Sequence, residues 1–134
     1  MVKRIQMTII AQYTIPANQP ANSVIPVSLI IDPQTGSVQR YQIPTTEVWI
    51  IEDVYKTGTI NVDALIQFIK NDFETLFVTD PLSTLDVSNP AKPRYERKVL
   101  KGNDALTLKA INLVAGGASA TTDTFYIKVT RFTA

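Results

Sequence analysis

An all-β domain is what this sequence predicts, on three observations. Of its 134 residues, 15 are Ile, 12 Val and 16 Thr, β-branched side chains that lose χ1 freedom in a helix but pack well on a pleated sheet. Apolar and polar residues alternate with a period of two in several short runs. Pro, Gly and Asn-Asp signals then cut those runs into strand-sized pieces. At this length one core is enough, since domains of about 100–150 residues are the commonest size, and no repeat or linker divides the chain. Residues 1–134 therefore read as a single β-sandwich domain.

Taken in order, residues 5–15 give the clearest strand: Ile5, Met7, Ile9, Ala11, Tyr13 and Ile15 occupy one face, with Gln6, Thr8, Ile10, Gln12 and Thr14 on the other. Pro16 and Pro20 stop it, because Pro lacks the ladder N–H. Residues 24–31 form a second apolar run. Asp32-Pro33-Gln34-Thr35-Gly36 suits a turn, so residues 37–43 are expected to return as the other arm of a hairpin. After Pro44, residues 47–57 place Trp49, Ile51 and Tyr55 on one parity and Val48, Ile50 and Val54 on the other, the pattern of a strand that is central or covered by a partner molecule.

Residues 61–73 carry two periods at once. Val62, Leu65, Ile66, Ile69 and Phe73 also fit helical spacing with Asn61 as cap, but the surroundings favour a strand over residues 64–70 that turns at Asn71-Asp72 into residues 75–79. Residues 80–93 hold Pro81, Pro90 and Pro93 and little periodicity, so they are expected to form the longest irregular stretch. Residues 95–100 form a short strand, Lys101-Gly102-Asn103-Asp104 a turn, and Leu106, Leu108 and Ala110 the inward face of the next strand. Gly116-Gly117 breaks the chain before Phe125, Ile127 and Val129 alternate in the last strand. Eight or nine strands, with two long ones at the ends, an early hairpin and a late long loop, fit a single jelly-roll sandwich or barrel of about eight strands. An immunoglobulin-like sandwich is the alternative, although its Cys pair is missing.

Composition also restricts the chemistry. With no Cys and no His there is no disulfide, thiolate nucleophile, Cys-type or HExxH zinc site, or imidazole acid/base. Phosphate-cradling loops, EF-hand loops and GxSxG elbows are absent too. Thirteen Lys and Arg against twelve Asp and Glu leave a net charge of +1, without the basic excess of a dedicated DNA-binding module. Gln6, Thr8 and Gln12 interrupt the apolar stretch that a signal peptide starting at Met1 would need, and no segment approaches the roughly 18 apolar residues of a membrane span.

Each candidate site has a plain structural counterpart. Glu52, Asp53, Asp63, Asp72, Glu74, Asp80 and Asp86 are the material for a carboxylate pair or a calcium loop, but their spacing supports neither; adjacent Glu52 and Asp53 are expected on opposite faces of a strand. We therefore expect no catalytic, cofactor-binding or metal-binding residues, no small-molecule substrate and no enzymatic activity. Arg94, Arg97, Lys98 and Lys101 are candidates for weak, nonspecific nucleic-acid contact, although basic residues also protect an exposed edge strand from pairing. Trp49, Tyr55, Phe68, Phe73, Phe77, Phe125 and Phe132 would serve a glycan-binding module only if two or more shared an exposed face; packing in the core is their default. A secreted or surface glycan-binding β-sandwich is the alternative function on this ground.

The strand order, the Val48-Trp49-Ile50-Ile51-Glu52-Asp53-Val54-Tyr55 strand, the run from Asp63 to Asn71 and the Pro81-Leu82-Ser83-Thr84-Leu85-Asp86-Val87-Ser88-Asn89-Pro90 loop together resemble single jelly-roll capsid proteins of icosahedral viruses infecting hyperthermophilic archaea or thermophilic bacteria. The resemblance implies a structural shell subunit located in the virion, forming homo-oligomers and contacting other capsid proteins. Independently, a strand with two apolar faces and a Thr-rich, weakly charged surface favour close packing of copies. Pro81, Leu82, Leu85, Val87, Asn89, Pro90 and Pro93 in one loop, with Pro16 and Pro20 in another, are the expected assembly contacts.

Overall fold

The computed structural model describes residues 2–34 and 36–133; Met1, Thr35 of the expected turn and Ala134 lie outside the described residues. The strands are β1 (Lys3–Ile15), β2 (Val24–Pro26), β3 (Ser28–Ile30), β4 (Ser37–Val38), β5 (Arg40–Gln42), β6 (Glu47–Tyr55), β7 (Ala64–Lys70), β8 (Glu74–Val78), β9 (Lys98–Lys101), β10 (Ala105–Asn112) and β11 (Thr121–Thr133). A 3₁₀ turn at Leu82–Thr84 is the one helical element among the described residues, and no helix is long and apolar enough to cross a membrane.

Two antiparallel sheets face each other, one ordered β4-β3-β1-β11-β6-β9 and the other β2-β10-β7-β8, with β5 also paired to β10. The pairing is nested: β1 with β11, β2 and β5 with β10, β6 with β9, β7 with β8. The chain is thus laid out like one long hairpin and then rolled up, which is the jelly roll. An immunoglobulin-like order would pair nearer neighbours in sequence.

One run does not form the simple hairpin expected of it. Val24–Pro26 pairs with residues 109–111 of β10 and Arg40–Gln42 with residues 105–107, so β2 and β5 are two halves of one interrupted strand. Between them the chain crosses to the opposite sheet, where β3 pairs with β1 and β4 with β3. Pro26 cannot donate to a ladder; the Val27 N–H still donates to the Leu108 carbonyl of β10 at 3.3 Å, and the switch follows at Ser28, closing one side of the sandwich with a covalent crossover. The Asn61-to-Phe73 segment resolves as strands: Asn71 and Asp72 both adopt positive φ, 53° and 67°, a tight-hairpin conformation that Asn and Asp tolerate.

The core lies where the period-two faces meet. Ile9, Ala11, Tyr13 and Ile15 of β1, Trp49, Ile51 and Val54 of β6, and Phe125, Ile127 and Val129 of β11 face Ile66, Phe68, Leu106, Leu108 and Ala110, all buried. In β6 the inward parity changes from Ile51 to Val54 because a bulge opposes Lys128 and Val129 with Asp53 and Ile51, leaving Glu52 as the extra residue. Tyr55, on the same parity as Trp49 in the sequence, therefore faces out and stacks on Tyr126, with centroids 5.4 Å apart.

Candidate assembly and anion-contact surfaces

The carboxylates hold loops. Asp123, buried on β11, accepts the Asn61 N–H at 2.7 Å, the Asn61 Nδ2 at 3.0 Å and the Val62 N–H at 3.0 Å. Asp63 receives the Ser83 N–H at 3.0 Å and the Ser83 hydroxyl at 2.6 Å. The β6 bulge turns both Glu52 and Asp53 to one cleft, contrary to the opposite faces expected of a regular strand. There Glu52 pairs with Arg97 at 2.9 Å, and Asp53 pairs with Lys92, whose side chain is only 7% exposed. Asp72 forks onto Arg40, Asp80 accepts the Tyr95 hydroxyl, and Asp86 takes Lys56 and Ser88. Among the described residues, no group of three carboxylates is placed to hold a metal ion.

Loops 16–23 and 113–120 meet at one end of the sandwich. Buried Asn112 keys them together: its Nδ2 donates to the carbonyls of Pro20 and Val114, both at 2.9 Å, while its Oδ1 accepts the Ser23 N–H at 2.8 Å. A Cβ on Gly116 would stand 2.6 Å from the Pro16 carbonyl oxygen, so only Gly permits this approach. Pro16 and Pro20 remain exposed beside Val114.

Residues 80–93 are irregular as expected, but the loop runs on to Arg97: residues 95–97, expected to begin a strand, stay outside the sheet because pairing with β6 starts at Lys98. Only part of this loop is available to a partner. Leu82 and Leu85 are fully buried core residues rather than assembly contacts: the 3₁₀ turn rolls them inward over β7, and removing both from water outweighs any role outside. Val87, Asn89 and Pro90 are exposed and available, while Pro81 and Pro93 are half-buried. Tyr95 closes the loop by stacking on Phe77, which stacks in turn on buried Phe68.

At the opposite end, the β7–β8 turn presents Phe73 at 93% exposure. Its frame is fixed: the Ala105 N–H donates to Asn71 Oδ1 at 2.9 Å, the Asn71 N–H to the Ala105 carbonyl at 2.9 Å, and the Arg40 guanidinium makes two bonds to Asp72. Of the seven aromatics weighed for a glycan platform, Trp49, Phe68 and Phe125 are fully buried, and Tyr55, Phe77 and Phe132 are partly buried. Phe73 alone of that set is exposed, a position that its place at the end of the apolar pattern over residues 61–73 conceals.

The outer face of the β1 sheet combines apolar rows with cations. In register across the strands stand Ile30, Ile10, Tyr126 and Tyr55; then Thr8, Lys128 and Asp53; then Gln6, Thr130, Ile50 and Val99; and finally Arg4, Phe132, Val48 and Lys101. β9 is an edge strand, so Lys98 and Lys101 occupy an edge that charge protects. Lys98 lies 3.7 Å from Glu96. Arg94 and Arg97 line a polar cleft of about 370 Å³ with Glu52, Asp53, Tyr95 and Lys128. Arg4 and Lys128 were not among the sequence candidates; their outward parity beside Phe132 and Tyr126 is the signal that marks them.

Several proton affinities follow from these contacts. The Ser88 hydroxyl and N–H, with Lys56, hold the Asp86 carboxyl well below its ordinary 3.8, and the Lys101 N–H, with Asn71, lowers Asp104. Burial raises Tyr13, reinforced by Asp123, and pushes Tyr95 up to about 12. A depressed carboxyl contributes stability that is present above its unfolded value and lost as pH falls through the folded one. A raised phenol contributes stability that is lost as pH rises from about 10 towards its folded value. With no His to titrate between, the melting temperature by circular dichroism is expected to be flat from about pH 5 to 9 and to drop on both sides. A step between pH 6 and 7 would contradict this account.

No protein-family model matches this chain, and no curated protein matches it in sequence.

Proposed function

We propose that the chain is a structural virion protein, a capsid shell subunit that self-assembles through its ends and loops and performs no catalysis. The observation that carries this reading is Phe73, an aromatic ring held out by a hydrogen-bonded turn at one end of the sandwich. At the other end, where loops 16–23 and 113–120 meet, Val114, Pro16 and Pro20 are exposed, and Val87 and Pro90 are exposed on the separate loop after β8. Apolar sites at opposite ends of one molecule favour head-to-tail contacts, which build rings and lattices rather than closed pairs. The locked loops support the same reading, because segments already ordered lose little entropy on association.

Sedimentation velocity over a concentration series, with electron microscopy of the concentrated protein, tests this. The native chain is expected to form large, regular assemblies, and Phe73→Ser to remain monomeric with its melting temperature nearly unchanged, since the ring makes no core contact. A native protein that stays monomeric at every concentration and is absent from any particle lattice would defeat the proposal.

A further inference from the structure

The charge is more segregated than the near-neutral total implies. Arg40, Lys56, Lys70, Lys92, Arg97, Lys98 and Arg131 each have a carboxylate within 4 Å. Among the described residues, no such partner stands by Lys3, Arg4, Arg94, Lys101, Lys109 or Lys128. Of these, Arg4, Lys101 and Lys128 share the outer face of the β1 sheet, and Arg94 lines the same cleft as Lys128. The two carboxylates in that cleft are already engaged, Glu52 by Arg97 and Asp53 by Lys92, so Arg94 and Lys128 remain free to meet an external anion.

From this placement we infer that the outer face of the β1 sheet binds the phosphodiester backbone of nucleic acid, with the Arg94–Arg97–Lys128 cleft as its principal phosphate seat. Three inter-strand spacings separate Arg4 from Lys101 along their row, about 14 Å, a span that one strand of a helix covers in about four nucleotides. The half-buried Tyr126 and Tyr55, one row from Lys128, add aromatic surface of the kind that bases contact. Contacts made to phosphates carry no sequence information, so binding is independent of sequence and dominated by salt. The inference deepens the shell reading by giving one sheet face a nucleic-acid partner, but it does not require assembly.

The test uses the Phe73→Ser chain, expected to be monomeric, and a fluorescein-labelled twenty-nucleotide oligo(dT), read by fluorescence anisotropy. About four phosphate contacts predict a slope of about −3 in log affinity against log salt, close to a fifty-fold loss between 50 and 200 mM. The exposed double variant Arg94→Ala/Lys128→Ala should halve that slope and weaken binding at least ten-fold, with its melting temperature retained. Lys109→Ala, which removes an unpartnered lysine from the opposite sheet, should leave binding unchanged. Equal losses in both variants, a flat salt dependence, or binding to phosphatidylserine vesicles without binding to the oligonucleotide would each overturn the inference. Because it is read on the monomer, this result can fail while the assembly experiment succeeds, and the reverse.

Discussion

Replacing Asp123 with Ala is expected to destabilise the fold by about 3–5 kcal/mol, because each buried donor left without a partner costs about 1–3 kcal/mol. The carboxylate lies on β11 at 2% exposure and accepts both N–H groups of the Asn61–Val62 step along with the Asn61 amide. Val62 is itself buried, and its carbonyl accepts the Tyr13 hydroxyl at 2.8 Å. Losing the acceptor therefore strands the buried Val62 N–H and leaves the part-buried Asn61 donors without this partner. For a domain of this size the melting temperature should fall by roughly 10–15 °C. Asp123→Asn should recover less than half of the loss, since it replaces one acceptor oxygen with a donor facing other donors. Thermal melts by circular dichroism decide the matter: a shift of only a degree or two for the Ala variant would mean that the loop does not depend on this clasp.

Trp49→Ala should cost about 3–5 kcal/mol for a different reason, the cavity left by the largest fully buried side chain. The indole stacks on Tyr41 with centroids 5.1 Å apart and donates to Glu47 Oε1 at 2.9 Å; Glu47 in turn faces the Arg131 guanidinium at 3.3 Å. Trp49→Phe keeps most of the packing and should cost about 1–2 kcal/mol, combining the lost hydrogen bond with a smaller void. Urea unfolding followed by circular dichroism gives both values without needing the sole tryptophan as reporter. Equal stabilities for the Ala and Phe variants would show that ring volume is not what this position supplies.

How much of this was legible in the sequence depends on whether a feature is local. The faces of β1, β10 and β11 read directly, because alternation is maintained over whole strands and each faces one core. The β7–β8 hairpin also read correctly, with Asn71 and Asp72 marking the turn. The interrupted strand did not, because Val24–Pro26 and Ser28–Ile30 form one continuous apolar run while bonding to different sheets. The bulge at Glu52 is a two-against-one register with β11, a property of the pair that neither strand shows alone. Leu82 and Leu85 looked like contact residues because nothing periodic surrounds them; their burial comes from the turn that folds them over β7. The cationic face was half visible: Arg94, Arg97, Lys98 and Lys101 are close in sequence, whereas Arg4 and Lys128 join them only through pairing.

The ladder between β1 and β11 also sets an order of events in folding. Its partners run from Lys3↔Thr133 to Ile15↔Thr121, more than a hundred residues apart in the chain, and β11 lies between β1 and β6 in the finished sheet. Until β11 docks, β1 and β6 both present open edges towards the gap it will fill, while β7, β8 and β10 can pair without it. Such distant closure slows folding and prolongs the exposure of unpaired strands. A released chain truncated before residue 121 should therefore hold one sheet and lack the centre of the other.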